Sequence, residues 1–117
     1  MLIRNTLLCI ALTGALHTTH AGVSQGLTAA ALGDFSAALR EWQPLAEQGH
    51  ADAQAKLAWL YDRGKGVKQD YQVASKWYRR AAEQGDADAQ LRLGEMFTTG
   101  QGVPQDQTEG YRWTHLA

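Results

Sequence analysis

Several residues in this sequence have types and spacings that invite chemistry: its histidines, a recurring aspartate, two glycine-rich tetrads and one tryptophan among cations. Of the 4 histidines, His17 and His20 lie in an apolar leading segment, which leaves His50 and His115. General acid–base catalysis needs an imidazole within reach of a second group. Neither histidine belongs to a recognisable nucleophile–base motif, and no His, Cys and carboxylate cluster has metal-ligand spacing. The single cysteine, Cys9, also lies in the leading segment, so the rest of the chain has no thiol for a disulfide or a metal. The tetrads Gly64-Lys65-Gly66-Val67 and Gly100-Gln101-Gly102-Val103 lack the Gly-Lys-Ser/Thr that completes a phosphate loop. The expectation is a non-enzymatic chain with no cofactor.

Binding is better supplied. Trp59 shares a helical face with Ala55 and Asp62, and Lys56 and Arg63 flank that face. Arg92 stands at the place equivalent to Lys56 in a second copy of the same stretch. An exposed aromatic beside long cationic side chains has the composition of a binding hot spot. Lys56, Trp59, Arg63 and Arg92 are therefore the expected contacts with another protein. The competing structural account is that Trp59 packs against whatever precedes the first copy.

The elements that position these residues come as a duplicated unit. Residues 46–81 and 82–117 align without a gap and agree at 16 of 36 positions. A fixed period of this size is the signature of a stacked repeat. Each copy reads as two helices around its glycine tetrad. Ala53, Leu57, Leu60 and Tyr61 make one apolar face at helical spacing, matched by Ala89, Leu93, Met96 and Phe97. Gly64 and Gly100 fall where a helix ends in a left-handed residue, and Val67 and Val103 are the apolar residues of their loops. Asp70 and Asp106 are placed to cap the second helix, whose buried stripe in copy one is Ala74, Trp77, Tyr78 and Ala81. Trp77 and Trp113 are repeat-periodic and expected in the core, with Trp42 echoing them one residue short. Small residues recur at Ala58/Gly94 and Ala74/Gly110, where helices can approach closely.

The recurring residues also account for the aspartates and for His50. Asp52 and Asp88 lie in first helical turns, where negative charge complements the helix dipole. His50 stands where copy two has the helix-capping Asp86, so it reads as a poor cap at a surface turn.

The pattern Ala53…Leu57…Tyr61…Gly64-x-Gly66-Val67…Asp70…Ala74…Trp77…Ala81-Ala82…Gly85 resembles the Sel1-like repeat, a relative of the tetratricopeptide repeat. Copy two keeps Ala89, Leu93, Phe97, Gly100, Gly102, Val103, Asp106, Trp113 and Ala117, and departs at Gly110. The resemblance implies an all-α fold, a short α/α superhelix, used as an adaptor in protein assemblies and often found in bacterial envelopes. Some cysteine-rich members are associated with binding or hydrolysing β-lactams and cell-wall fragments, an alternative that the absence of cysteines after Cys9 disfavours.

The start of the chain has a separate role. Residues 1–21 combine Arg4, an apolar run from Thr6 to Leu16 and small residues at Thr19 and Ala21, the three regions of a secretory signal peptide cut before Gly22. The expected location is periplasmic or secreted, and a secreted host-contact factor is the second reading. Residues 22–45 read as degenerate capping helices, with Asp34 as a cap and Pro44 bending the second of them. Residues 46–81 are repeat one and 82–117 repeat two, truncated at its end. Without Arg4 the remainder has ten Lys plus Arg against twelve Asp plus Glu, with no basic block. That excludes the electrostatic footprint of nucleic-acid binding, and no cationic amphipathic helix suggests a membrane surface; no stable membrane insertion is expected after signal cleavage. The last helix is the weakest: Gln107, Glu109, Gly110 and Thr114 replace Tyr71, Val73, Ala74 and Tyr78. Gly110 alone costs about 1 kcal/mol of helix propensity against Ala. Trp113 and Leu116 are expected on an unclosed edge that could serve self-association.

Overall fold

The structure is a computed structural model that describes residues 22–117. The signal-peptide reading of residues 1–21 lies outside the described residues. Residues 22–117 form helices and turns, with no strand among them. The helices are α1 (22–31), α2 (Phe35–Glu47), α3 (Ala51–Arg63), α4 (Tyr71–Glu83), α5 (Ala87–Thr99) and α6 (Gln107–Leu116). They stack as consecutive antiparallel neighbours, which is the all-α superhelix that the 36-residue period predicts.

The residues identical in both copies are the ones that make this geometry. Gly64 and Gly100 end α3 and α5 with φ of 64° and 73°, and each N–H bonds back to the carbonyl of Leu60 or Met96. Gly66 and Gly102 do a second job that the sequence reading missed. A Cβ on Gly66 would come within 2.7 Å of the Phe35 carbonyl oxygen, and one on Gly102 within 2.2 Å of that of Tyr71. Each loop thus presses on the start of the preceding repeat's second helix, and only glycine leaves room. Gln54 and Gln90 donate to the carbonyls of Ala46 and Ala82, both at 3.1 Å, tying each first helix to the end of the helix before it. Gln69 and Gln105 donate to the carbonyls of Asp62 and Thr98. Val67 and Val103 are half-buried and pack under their loops.

The core is two clusters. One gathers Ala38, Trp42, Leu45, Leu57 and Leu60 between α2 and α3; the other gathers Ala74, Tyr78, Leu93, Met96 and Trp113 across α4, α5 and α6. Trp77 departs from its expected place. It is half-buried, packs against both clusters as their joint, and carries the Arg80 guanidinium 4.8 Å over its ring. The fully core position beside it is Tyr78. The period also reaches further back than expected: Asp34, Asp70 and Asp106 each accept a backbone N–H at the start of α2, α4 and α6. Trp42 therefore matches Tyr78 without a gap, rather than Trp77 one residue short.

This register shows how the chain trades side-chain size between paired helices. Gly26 faces Trp42, whose indole would lie 2.1 Å from a Cβ there; Asp62 faces Tyr78. Thr98 and Thr114 stand at the same two places in the last pair. Gly94 and Gly110 complete the last pair by bringing α5 and α6 together. A Cβ on Gly110 would meet Thr98 Oγ1 at 2.4 Å and the Gly94 carbonyl at 3.0 Å. Gly110 is thus a close-packing position as well as a cost in helix propensity. α2 continues through Pro44 to Glu47, with the proline on its exposed side.

Candidate functional site

α3 and α5 are equivalent helices of adjacent repeats, and they form one wall of a groove of about 320 Å³. Lys56, Trp59, Arg63 and Arg92 all line it, so the structure brings the four sequence-predicted contacts together. Asp52, Ala55, Asp62, Tyr78, Asp86 and Asp88 complete the lining. The wide spacing of Lys56, Trp59 and Arg63 on α3 follows its helical period, and Arg92 enters from one repeat further on.

Trp59 packs against the preceding helices and also lines the groove. Its side of α3 faces back toward the preceding helix pair, and its ring lies 6.0 Å from Phe35 in a tilted arrangement. It remains 38% exposed. Lys65 sits 5.6 Å over the Phe35 ring, adding a positive charge beside this aromatic pair.

The cations differ more than the sequence suggests. Lys56 pairs with Asp52 at 2.6 Å, one turn away on the same helix. Arg92 is held by a buried carboxylate. Its Nε donates to Asp62 Oδ2 at 2.8 Å and its Nη2 to Asp62 Oδ1 at 2.9 Å, a bidentate fork. Further bonds run to Gln101 and Glu95. Asp62 is only 2% exposed, and Tyr78 donates its hydroxyl to it at 3.0 Å. Burial, and then the Asp62 charge, push the Tyr78 phenol above its ordinary range. The hydrogen bond to Asp62 likewise holds the Arg92 guanidinium above its usual value. This Asp62–Tyr78–Arg92 network spans the repeats. Sequence reasoning placed Asp62 on the Trp59 face but gave it no role; the signal was an isolated carboxylate at a position where copy two has Thr98. Among the described residues Arg63 has no carboxylate partner.

The remaining candidates resolve into structure. His50 begins α3 without a side-chain capping bond, whereas Asp86 accepts the Ala89 N–H at 2.9 Å. His115 stacks on Tyr111 at 3.7 Å, its Nδ1 2.8 Å from that residue's carbonyl. Of the expected open edge, Trp113 is 6% exposed and packs in the core, with its indole N–H buried and unpartnered, while Leu116 is 59% exposed. Among the described residues no group of three His, Cys, Asp or Glu could hold a metal ion, and no helix is long and apolar enough to cross a membrane.

Helix pairs repeating every 36 residues, each roofed by the next, define an α/α solenoid. The Sel1 repeat model matches residues 51–86 and 87–117, and the chain belongs to the Sel1 repeat family. Such repeats generally mediate protein–protein interaction. Among solved structures, the chain is similar to a protective antigen present in uropathogenic Escherichia coli strains displaying an SLR fold. Identity there is 35%, with 81% of this chain and 21% of that one covered, at a TM-score of 0.77. It is also similar to a Sel1 repeat protein from Oxalobacter formigenes, with 32% identity, 82% and 42% coverage, and a TM-score of 0.73. Cysteine rich protein B of Helicobacter pylori shares the fold at 19% identity, with 84% coverage of both chains and a TM-score of 0.66. The chain thus spans about a fifth of the first of these and less than half of the second. No curated protein matches it.

Proposed function

We propose that this chain is an exported Sel1-repeat adaptor of the bacterial envelope that holds another protein in the α3/α5 groove. The observation that carries this reading is the convergence of Lys56, Trp59, Arg63 and Arg92 on one groove with Trp59 38% exposed. Export rests on the n-, h- and c-region pattern of residues 1–21, which leads to a periplasmic or secreted protein. N-terminal sequencing of material recovered from periplasm or medium tests this part; a chain beginning at Met1 would defeat it. Binding is tested with Trp59→Ala against Trp77→Ala. The first should abolish partner capture with the fold intact, and the second should unfold the chain; capture that survives Trp59→Ala would locate the site elsewhere.

A secreted host-contact role is the second reading, and the likeness to a protective antigen of uropathogenic strains favours it. Self-association through α6 is proposed for the exposed Tyr111 and Leu116. It requires a sedimentation coefficient that rises with concentration and no longer does so in Leu116→Asp.

A further inference from the structure

The charges lining the groove separate by whether they are already matched. Lys56 is paired with Asp52, and Arg92 with Asp62 and Glu95. Three remain without an ion-pair partner among the described residues: Arg63, Asp86 and Asp88. They are not mixed. Arg63 lies in the last turn of α3, while Asp86 caps α5 and Asp88 lies in its first turn. Because α3 and α5 run the same way in adjacent repeats, the free positive charge is at one end of the groove and the free negative charges at the other. Eleven residues of helix at about 1.5 Å each separate these levels by about 16 Å. Trp59 lies one turn from Arg63, and Lys65 over Phe35 reinforces the positive end. Helix dipoles explain why each charge suits its own helix terminus. They do not explain why the unmatched ones line the same groove as an exposed indole.

Resting on the adaptor reading above, the geometry points to an occupant of defined polarity: an extended protein segment of about five residues. A span of about 16 Å corresponds to that length at roughly 3.3 Å per residue. The segment places a carboxylate side chain against Arg63, an apolar or aromatic side chain on Trp59, and a lysine or arginine between Asp86 and Asp88. Arg92 does not contact the ligand's charge. Its guanidinium nitrogens are engaged by Asp62, Glu95 and Gln101, and it acts as a positioning residue for the wall between the repeats.

The test is selection of a random heptapeptide display library on the immobilised chain 22–117, followed by affinity measurement on the selected peptides. The expected consensus has an apolar residue flanked by one acidic and one basic residue. Selection on Arg63→Glu should replace the acidic position with a basic one, and selection on Asp88→Lys, where Asp86 only offsets the new cation, should abolish the preference for a basic residue. Each substitution should weaken the original peptide about fivefold or more, since losing a single exposed charge pair is worth up to about 1 kcal/mol and the new like charge adds repulsion. Added salt should weaken binding of the selected peptide to wild type and should not weaken its binding to a variant carrying both Arg63→Glu and Asp88→Lys. A consensus without opposed charges, a failure to enrich any peptide, or a motif unchanged in both reversals would overturn the polarity. Peptides that bind Trp59→Ala as well as wild type would instead overturn the groove itself, so the two failures are told apart.

Discussion

Replacing Arg92 with methionine keeps most of the aliphatic stem and removes the guanidinium that faces Asp62. The carboxylate left behind is 2% exposed and retains a single hydrogen bond among side chains, from Tyr78. Breaking a fully buried pair in this way costs about 3–5 kcal/mol. Arg92 keeps 24% of its side chain in solvent, so water reaches part of the stranded charge, and about 2–3 kcal/mol is expected. Asp62→Asn placed on top of Arg92→Met removes the charge while leaving an acceptor for Tyr78. The double variant should therefore recover about half of the loss, although each single substitution destabilises. Urea unfolding followed by circular dichroism at neutral pH reads all three variants. Because the pair joins residues 30 positions apart in adjacent repeats, its loss should also broaden the transition as the repeats uncouple. Equal and additive losses from the two substitutions would refute the idea that an unpaired buried carboxylate sets the cost.

Other expectations follow from the same geometry. His50→Asp should stabilise the chain by about 0.5–1 kcal/mol by giving α3 the cap that Asp86 gives α5, and an unchanged melting temperature would count against it. Tyr78 has a raised folded-state pKa, so its contribution is present below the unfolded value of 10.0 and is lost as pH climbs above it. Tyr78→Phe should flatten the alkaline fall in melting temperature; an identical fall in both proteins would contradict this. Gly110→Ala should destabilise by about 1 kcal/mol despite its better helix propensity, because the new Cβ meets Thr98 and the Gly94 carbonyl. Thr98→Ala should restore part of that loss in the same melting assay.

Most of the fold is visible in the sequence because the chain is its own comparison. Where two copies keep Gly64/Gly100 or Asp70/Asp106, the shared residue marks a helix end that recurs in space. The reading went astray at Trp77 and Tyr78, which are adjacent on one helix. Periodicity in one dimension does not say which of two neighbouring aromatics points between helices and which joins two clusters. The site was half legible. Trp59 stood out because copy two has Glu95 there, and the structure does place it at a groove. Asp62 did not stand out as a partner of Arg92, since pairing across 30 residues depends on how the repeats stack. Gly110 was legible as a close-packing position, but not how that packing weighs against its helix-propensity cost, because propensity is local and the approach of Gly94 and Thr98 is not.

The most direct measurement is lysine crosslinking with mass spectrometry on chain 22–117 in envelope extract, beside its Trp59→Ala variant. The lysines divide the surface: Lys56 lines the groove and Lys65 lies beside its aromatic end, whereas Lys68 lines a separate cleft between the loops. A protein-binding groove predicts partner crosslinks concentrated at Lys56 and Lys65 and lost in Trp59→Ala. Partner crosslinks concentrated at Lys68 and unaffected by Trp59→Ala would contradict it.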